Sequence, residues 1–460
     1  MNISIYRRIL CRGIEFMLFV SLLSGCGDKN DGQIPPPPPE DTIPQAPASV
    51  QKVNKFIRDG MKHYYFWADL MPEIDIRYES DSKIYFKKLL NDNDHWSAIR
   101  NDMEYQNTKS GYTVTTLGFS PVFFQTPEQI IGVIQYVYKD SPAAKAGLKR
   151  GNALLAVDGE NITQENLSYI FNKRSLTLKY SDISINESGN PVLTDIREVH
   201  LIPKNITLNP INTYKVIDTL GLKIGYLVYT HFDDYHYEEL GNVFRFFKSQ
   251  NIRDLIMDFR YTGSFGNWKA AGVVGSWIAP EDFVSRNEEF ICFKYNDLYK
   301  NELLENGKDN TIRLTDSLVS ENLGIRRVFF LISKQTAEIG EAFILGLEPY
   351  MQVNLIGEKT KGISLFMGTV VPQLKNDSIV PGLYEKGNII APELKNWAYN
   401  IIIGSYTNKN GDTIWETGGL SPSGGMQINN PNNIRSLTRQ LGELKEPLLS
   451  AAIDIIHVIK

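Results

Sequence analysis

Apolar and polar positions along the chain divide it into four regions with different periods. From Val53 to Arg100 the apolar residues recur at helical spacing. In VNKFIRDGMKHYYFWADL, the residues Val53, Phe56, Ile57, Met61, Tyr64 and Tyr65 share one face, and SKIYFKKLL and DHWSAI continue the pattern. A small helical domain over residues 51–110 is expected. Alternating, β-rich runs follow (GYTVTTLGFSPVFF and QIIGVIQYVY) within residues 111–204. Beyond Leu220, buried-strand runs (GLKIGYLVYTHF, DLIMDFR, RRVFFLIS) alternate with amphipathic or apolar helical runs (HYEELGNVFRFFKSQ, WKAAGVVGSWIA). That alternation predicts an α/β core over 205–440 with a largely parallel sheet. Residues 441–460 read as a closing helix. The fold class is therefore α+β and multidomain.

The first fifty residues follow a different logic. Arg7, Arg8 and Arg12 precede Phe16–Leu23, an apolar run too short to span a bilayer, and the run ends in Leu-Ser-Gly-Cys26. This resembles the lipobox of bacterial lipoproteins, against the plainer reading of a signal peptide with an incidental cysteine. The resemblance implies cleavage before Cys26, a lipid on its sulfur, and a partner in the bilayer of the cell envelope, with the outer membrane as the expected location. Residues 27–50 are polar and then proline-rich, a semi-rigid spacer.

Composition narrows the chemistry. The net charge of −5 gives no electrostatic case for nucleic-acid binding. Of three cysteines, only Cys292 lies in the body of the chain, in a strand-like run where it reads as a small buried hydrophobe. No cofactor is expected. His231 and His236, beside Asp233 and Asp234, form at most a weak metal patch and read better as a solvated loop and helix start.

DSPAAKAGLKRGNALLAVDGENIT (Asp140–Thr163) is identified as a PDZ signature, although Asn152 stands where that family usually has aspartate. Such domains bind a peptide as an added strand and hold its C-terminal carboxylate on backbone N–H groups. The carboxylate loop would be Leu117, Gly118 and Phe119, after Thr116, or else a plain strand with one glycine.

In order, the helical region, the PDZ signature and the blocks KIGYLVYTHF, DLIMDFRYTGS, VFFLISKQTAEIGEAFILGLEPYM and VNLIGEKTKG resemble the tail-specific serine peptidases, family S41. The resemblance implies a core of the ClpP/crotonase kind and peptide-bond hydrolysis by a serine–lysine dyad. Carried over by position, the nucleophile falls at Glu338 and the base at Ile363, after Gly362. The motif glutamate is kept as Glu341, and Met367 replaces a glutamine found in one branch. The oxyanion region falls at Gly263 and Ser264, where a second glycine would be usual.

Acyl transfer needs an activated nucleophile and a base that can take its proton. Isoleucine can do neither part of that exchange, and carboxylate attack on an amide expels a poor leaving group. Ser333, Ser364 and Lys361 are the nearby substitutes, and each reads as a solvated loop or turn residue. Thr336 is the expected N-cap of the following helix. The expectation is a pseudopeptidase that binds polypeptide C-termini or unfolded segments. An active peptidase with a relocated nucleophile and a scaffold in an envelope complex are the alternatives.

Overall fold

The computed structural model describes residues 44–101, 113–127, 129–263, 266–315, 320–385, 387–424, 426–428 and 433–459. Cys26, the proline-rich stretch and Ser264 lie outside them. Residues from Gln45 on form one compact unit.

Helix α1 (Ala48–Tyr64) buries Val53, Phe56, Ile57, Met61 and Tyr64 along the stripe that the spacing predicts. Helix α2 (Ser82–Leu89) is capped by Asp81, whose carboxylate accepts from the Lys83 and Ile84 amides. DHWSAI does not continue the helices. Its end forms strand β1 (Ala98–Arg100), which pairs antiparallel with the distant strand Ala398–Thr407. Nor is this region a separate body. The Tyr399 hydroxyl donates to the carbonyls of Phe56 and Ile57, and the Phe66 amide donates to Ile402. Two short helices bury too little surface to stand alone, so their apolar face joins the main core.

Strand β2 (Thr113–Thr116) leads into the PDZ-like barrel, built from β3 (Phe119–Gln125), β4 (Ile130–Val137), helix α3 (Pro142–Lys145), β5 (Ala153–Val157), β6 (Glu160–Asn161), β7 (Leu176–Ile185) and β8 (Pro191–Leu201). Its sheet runs β3-β4-β5-β7-β8, which leaves β3 at an edge. Ser141 caps α3 through its hydroxyl, with Pro142 in the first turn. Strand β9 (Lys204–Thr207) pairs back onto β2.

The core holds two sheets. The first contains β10 (Ile211–Thr219), β11 (Leu222–Tyr229), β12 (Asp254–Asp258), β15 (Arg327–Ile332) and β16 (Gln352–Gly357). Its four strands from β11 to β16 are parallel, and β10 is an antiparallel edge. Side chains alternate between two apolar layers: Val328, Phe330 and Ile332 enter one, Phe329 and Leu331 the other. Helices α4 (Tyr237–Ser249), α5 (Trp268–Ile278) and α8 (Ile339–Leu347) contribute to the first layer and α10 (Pro447–Val458) to the second, while the short helices α6 (Glu281–Ser285), α7 (Asp297–Glu305) and α9 (Ile434–Leu437) lie in the connections.

The second sheet is wholly antiparallel and was not expected from the pattern. It joins β13 (Glu289–Tyr295), β14 (Thr311–Arg313), β17 (Leu365–Lys375), β18 (Ser378–Leu383), β19 (Ala398–Thr407) and β1. Gly368, Pro372, Pro381 and Gly382 interrupt the alternation in β17 and β18, which hides them from a period-2 reading. Cys292, in β13, is only half-buried, short of the buried hydrophobe expected.

Candidate functional site

The turn between β15 and α8 is tied to the segment that follows β12. The Ser333 hydroxyl donates to the Arg260 carbonyl at 2.7 Å and the Thr336 hydroxyl to the Phe259 carbonyl at 2.8 Å. The Ala337 amide donates to the Thr262 carbonyl at 3.0 Å. Thr336 is thus occupied inside the turn and is not the N-cap. Ser333 and Ser364 are buried, not solvated as expected, while Lys361 is exposed.

The N-cap is Glu338, with φ 46° and ψ −105°. Positive φ at a non-glycine residue costs on the order of 1–3 kcal/mol and persists only where its surroundings fix it. Strand-to-helix turns that present a nucleophile carry strain of this kind. Fixation comes from Glu341, which is fully buried and forms a reciprocal capping box with Glu338. One oxygen of Glu341 accepts from the Glu338 amide (2.9 Å) and the Ile363 amide (2.9 Å). Its other oxygen accepts from the Gly362 amide (2.7 Å) and the Thr360 hydroxyl. A single carboxylate therefore clamps the helix start to the segment carrying Ile363.

Gly362 has φ +83°, and a Cβ there would lie 2.3 Å from the Gly418 carbonyl oxygen, so only glycine fits. The Ile363 carbonyl accepts from the buried Tyr406 hydroxyl at 2.7 Å. Burial first, then the charges of Glu341 and Glu338, push that phenol well above its ordinary range.

Glu338 and Ile363 face the same cavity of about 330 Å³, lined also by Trp96, Gly362, Ser364, Leu365, Met367, Ile402 and Trp415. The two positions assigned to nucleophile and base are thus brought together beside open space. Gly263 follows Thr262 at the end of the clamped segment, and a Cβ there would meet nothing within 4 Å. The tryptophans came from parts of the chain with no catalytic signature, so sequence reasoning missed them.

Beneath this segment lies a buried charge cluster that the sequence did not announce. Arg260 donates to both oxygens of Asp258 (2.9 and 2.8 Å) and both of Glu446 (2.7 and 2.9 Å), and all three side chains are fully buried. From the PDZ-like barrel, Arg150 donates to the Tyr261 hydroxyl at 2.5 Å and to the Gln135 and Arg439 carbonyls. The barrel is thereby tied to the residue after Arg260.

His231 and Asp233 are buried, which corrects the expectation of a solvated patch. Burial opposes ionisation of Asp233, but the His231 ring 3.7 Å away and the hydrogen bond with His236 at 2.7 Å outweigh it and hold the carboxyl at about 2. His231 is pushed down, by burial above all. No group of three or more His, Cys, Asp or Glu that could hold a metal ion occurs among the described residues.

In the barrel, Leu117 and Phe119 border a groove of about 560 Å³ with Pro121, Phe123, Leu167 and Phe171. Phe171 meets Phe119 edge-on at 5.9 Å. Gly118 has φ +87° and packs so closely on Ser141 that a Cβ would fall 2.0 Å from the serine Cβ. Its amide donates to the Thr116 hydroxyl at 3.0 Å. Of the three predicted loop residues, Leu117 and Phe119 line the groove, and Gly118 shapes the turn.

A PDZ-like barrel tied to a two-sheet α/β core, with a strained strand-to-helix turn beside a cavity, defines a peptidase-like architecture. The comparisons with known proteins agree. The model of peptidase family S41 matches residues 223–423, that of the S41 N-terminal domain residues 52–98, and a PDZ model residues 133–171. The chain belongs to peptidase family S41. Among solved structures it is similar to an S41 protease candidate from Bacteroides fragilis NCTC 9343, at 21% identity and TM-score 0.68, over 88% of this chain and 97% of that one. It is also similar to a photosystem II D1 C-terminal processing protease, at 16% identity and TM-score 0.48, over 88% of this chain and 100% of that one. No curated protein matches.

Proposed function

We propose that this chain is a lipid-anchored envelope member of the S41 family that holds polypeptide without cutting it. One observation carries the reading: Glu338 occupies the strained turn and Ile363 the facing position, both on an open cavity. The backbone is set for a nucleophile, yet neither side chain can perform acyl transfer. Isoleucine has no site for a proton, and carboxylate attack on an amide expels a poor leaving group and gives a reactive anhydride. Ser333 is not available as a relocated nucleophile, since its hydroxyl is buried and committed to the Arg260 carbonyl.

Binding would use the edge of β3 for an extended peptide, with the C-terminal carboxylate near Leu117–Phe119, and the cavity at Glu338 for a side chain further along. Incubation with unstructured peptides bearing free C-termini should yield complexes and no products. Steady product release abolished by Glu338→Ala would overturn the proposal. The anchor has its own test: Cys26→Ser should move the protein from the membrane fraction to the soluble one. Retention in the membrane would refute lipidation at Cys26.

A further inference from the structure

The turn at Leu117–Phe119 is held by its carbonyls from inside the barrel. The Leu117 carbonyl accepts from the Ala143 amide at 3.0 Å, and the Gly118 carbonyl from the Tyr138 amide at 2.9 Å and the Ser141 hydroxyl at 3.3 Å. A planar trans peptide points its N–H opposite to its carbonyl, so the Gly118 and Phe119 amides are turned away from these partners. The Gly118 amide already donates to the Thr116 hydroxyl at 3.0 Å, which leaves a bound carboxylate short of one backbone donor. Lys173 stands on the wall of the same groove as Thr116, Leu117, Phe119 and Phe171. Its ammonium donates to Asp158 at 2.9 Å, and Asp158 also accepts from the Thr177 amide. The two side chains are 32% and 38% exposed, and an ion pair open to water in this way is weak. A second carboxylate therefore competes for the same ammonium.

We infer that Lys173 is the cation by which this groove reads a free chain end: it turns from Asp158 to the terminal carboxylate of a bound polypeptide. This rests on the reading of the groove beside β3 as a peptide site. The Phe119 amide completes the grip, together with the Thr116 hydroxyl, which accepts from Gly118 and can still donate its own proton. The last side chain of the peptide packs on the aromatic wall of Phe119 and Phe171. An internal segment, or an amidated end, gains the strand pairing and the aromatic contact but nothing from Lys173. The residue thus sets specificity for chain ends and is not needed for pairing along β3.

The test uses the full-length protein in neutral detergent and acetylated peptides of five alanines ending in leucine, valine or phenylalanine, each with a free or an amidated C-terminus. Calorimetric titration of the unaltered protein should favour the free C-terminus about tenfold. Lys173→Met keeps the stem and removes the charge, and it should cut that preference to about threefold by weakening the free peptides alone. Lys173→Arg should keep most of the preference. Asp158→Asn retains an acceptor for the Thr177 amide and suits the left-handed backbone there, φ 52°. By removing the competing charge it should tighten the free peptides about twofold and leave the amidated ones unchanged. A tenfold preference that survives Lys173→Met, an equal loss for both peptide forms, or no tightening in Asp158→Asn would overturn the inference and leave the groove a peptide site. Failure of every peptide to bind the unaltered protein would overturn both.

Discussion

The cavity at Glu338 and the groove beside β3 belong to one protein but are built by different means. The groove offers backbone: an edge strand, a glycine turn packed on Ser141, and an aromatic wall from Phe119, Phe123 and Phe171. Its capacity to pair with a strand survives most changes of side chain. The cavity offers side chains on a backbone held by Glu341, and on the proposed reading replacement of two of them removes the chemistry while the shape remains. On the proposed reading, a peptidase fold loses catalysis at two positions and keeps a place to bind.

Removing the clamp should separate the two regions most strongly. Glu341→Ala strands three amides and a hydroxyl in the interior, and a loss of roughly 3–5 kcal/mol is expected by denaturant unfolding. Binding of C-terminal peptides to the groove should persist below the unfolding transition. A change under about 1 kcal/mol would mean that Glu341 does not hold the turn. Amidating a peptide's C-terminus should cost about tenfold in affinity for the groove, the scale of a charged hydrogen-bonded contact. An unchanged affinity would remove Leu117–Phe119 as a carboxylate site. The smallest effect is expected at Pro121, which has no N–H to offer at the edge of β3. Pro121→Ala should tighten peptide binding about threefold by adding one ladder donor. No tightening would show that the peptide does not pair along that stretch.

How much was legible beforehand follows from how each part is specified. The strands β11, β12 and β15 are buried on both faces, so their continuous apolar runs announced them. The helices α4, α5 and α8 were equally plain from their spacing. The antiparallel sheet was hidden because prolines and glycines break β17 and β18, and β1 was hidden because three residues carry no period. At the site, Glu338 and Ile363 were found only by alignment with a known motif. Nothing local marks a glutamate for positive φ, since that conformation is imposed by contacts from residues 259–262 and 360–363. Trp96 and Trp415 reach the cavity through tertiary packing alone. Ser333 and His231 show the opposite case, since polar residues in loop-like sequence suggest solvation yet these two are buried at strand ends.

The central claim is that the nucleophile's turn survives and only its side chains are missing. The direct measurement is peptide hydrolysis by the protein and by its E338S/I363K double variant, side by side on one unstructured substrate with a free C-terminus. The account predicts no product from the protein and measurable turnover from the double variant. Turnover by the unaltered protein, lost in Glu338→Ala, would contradict it.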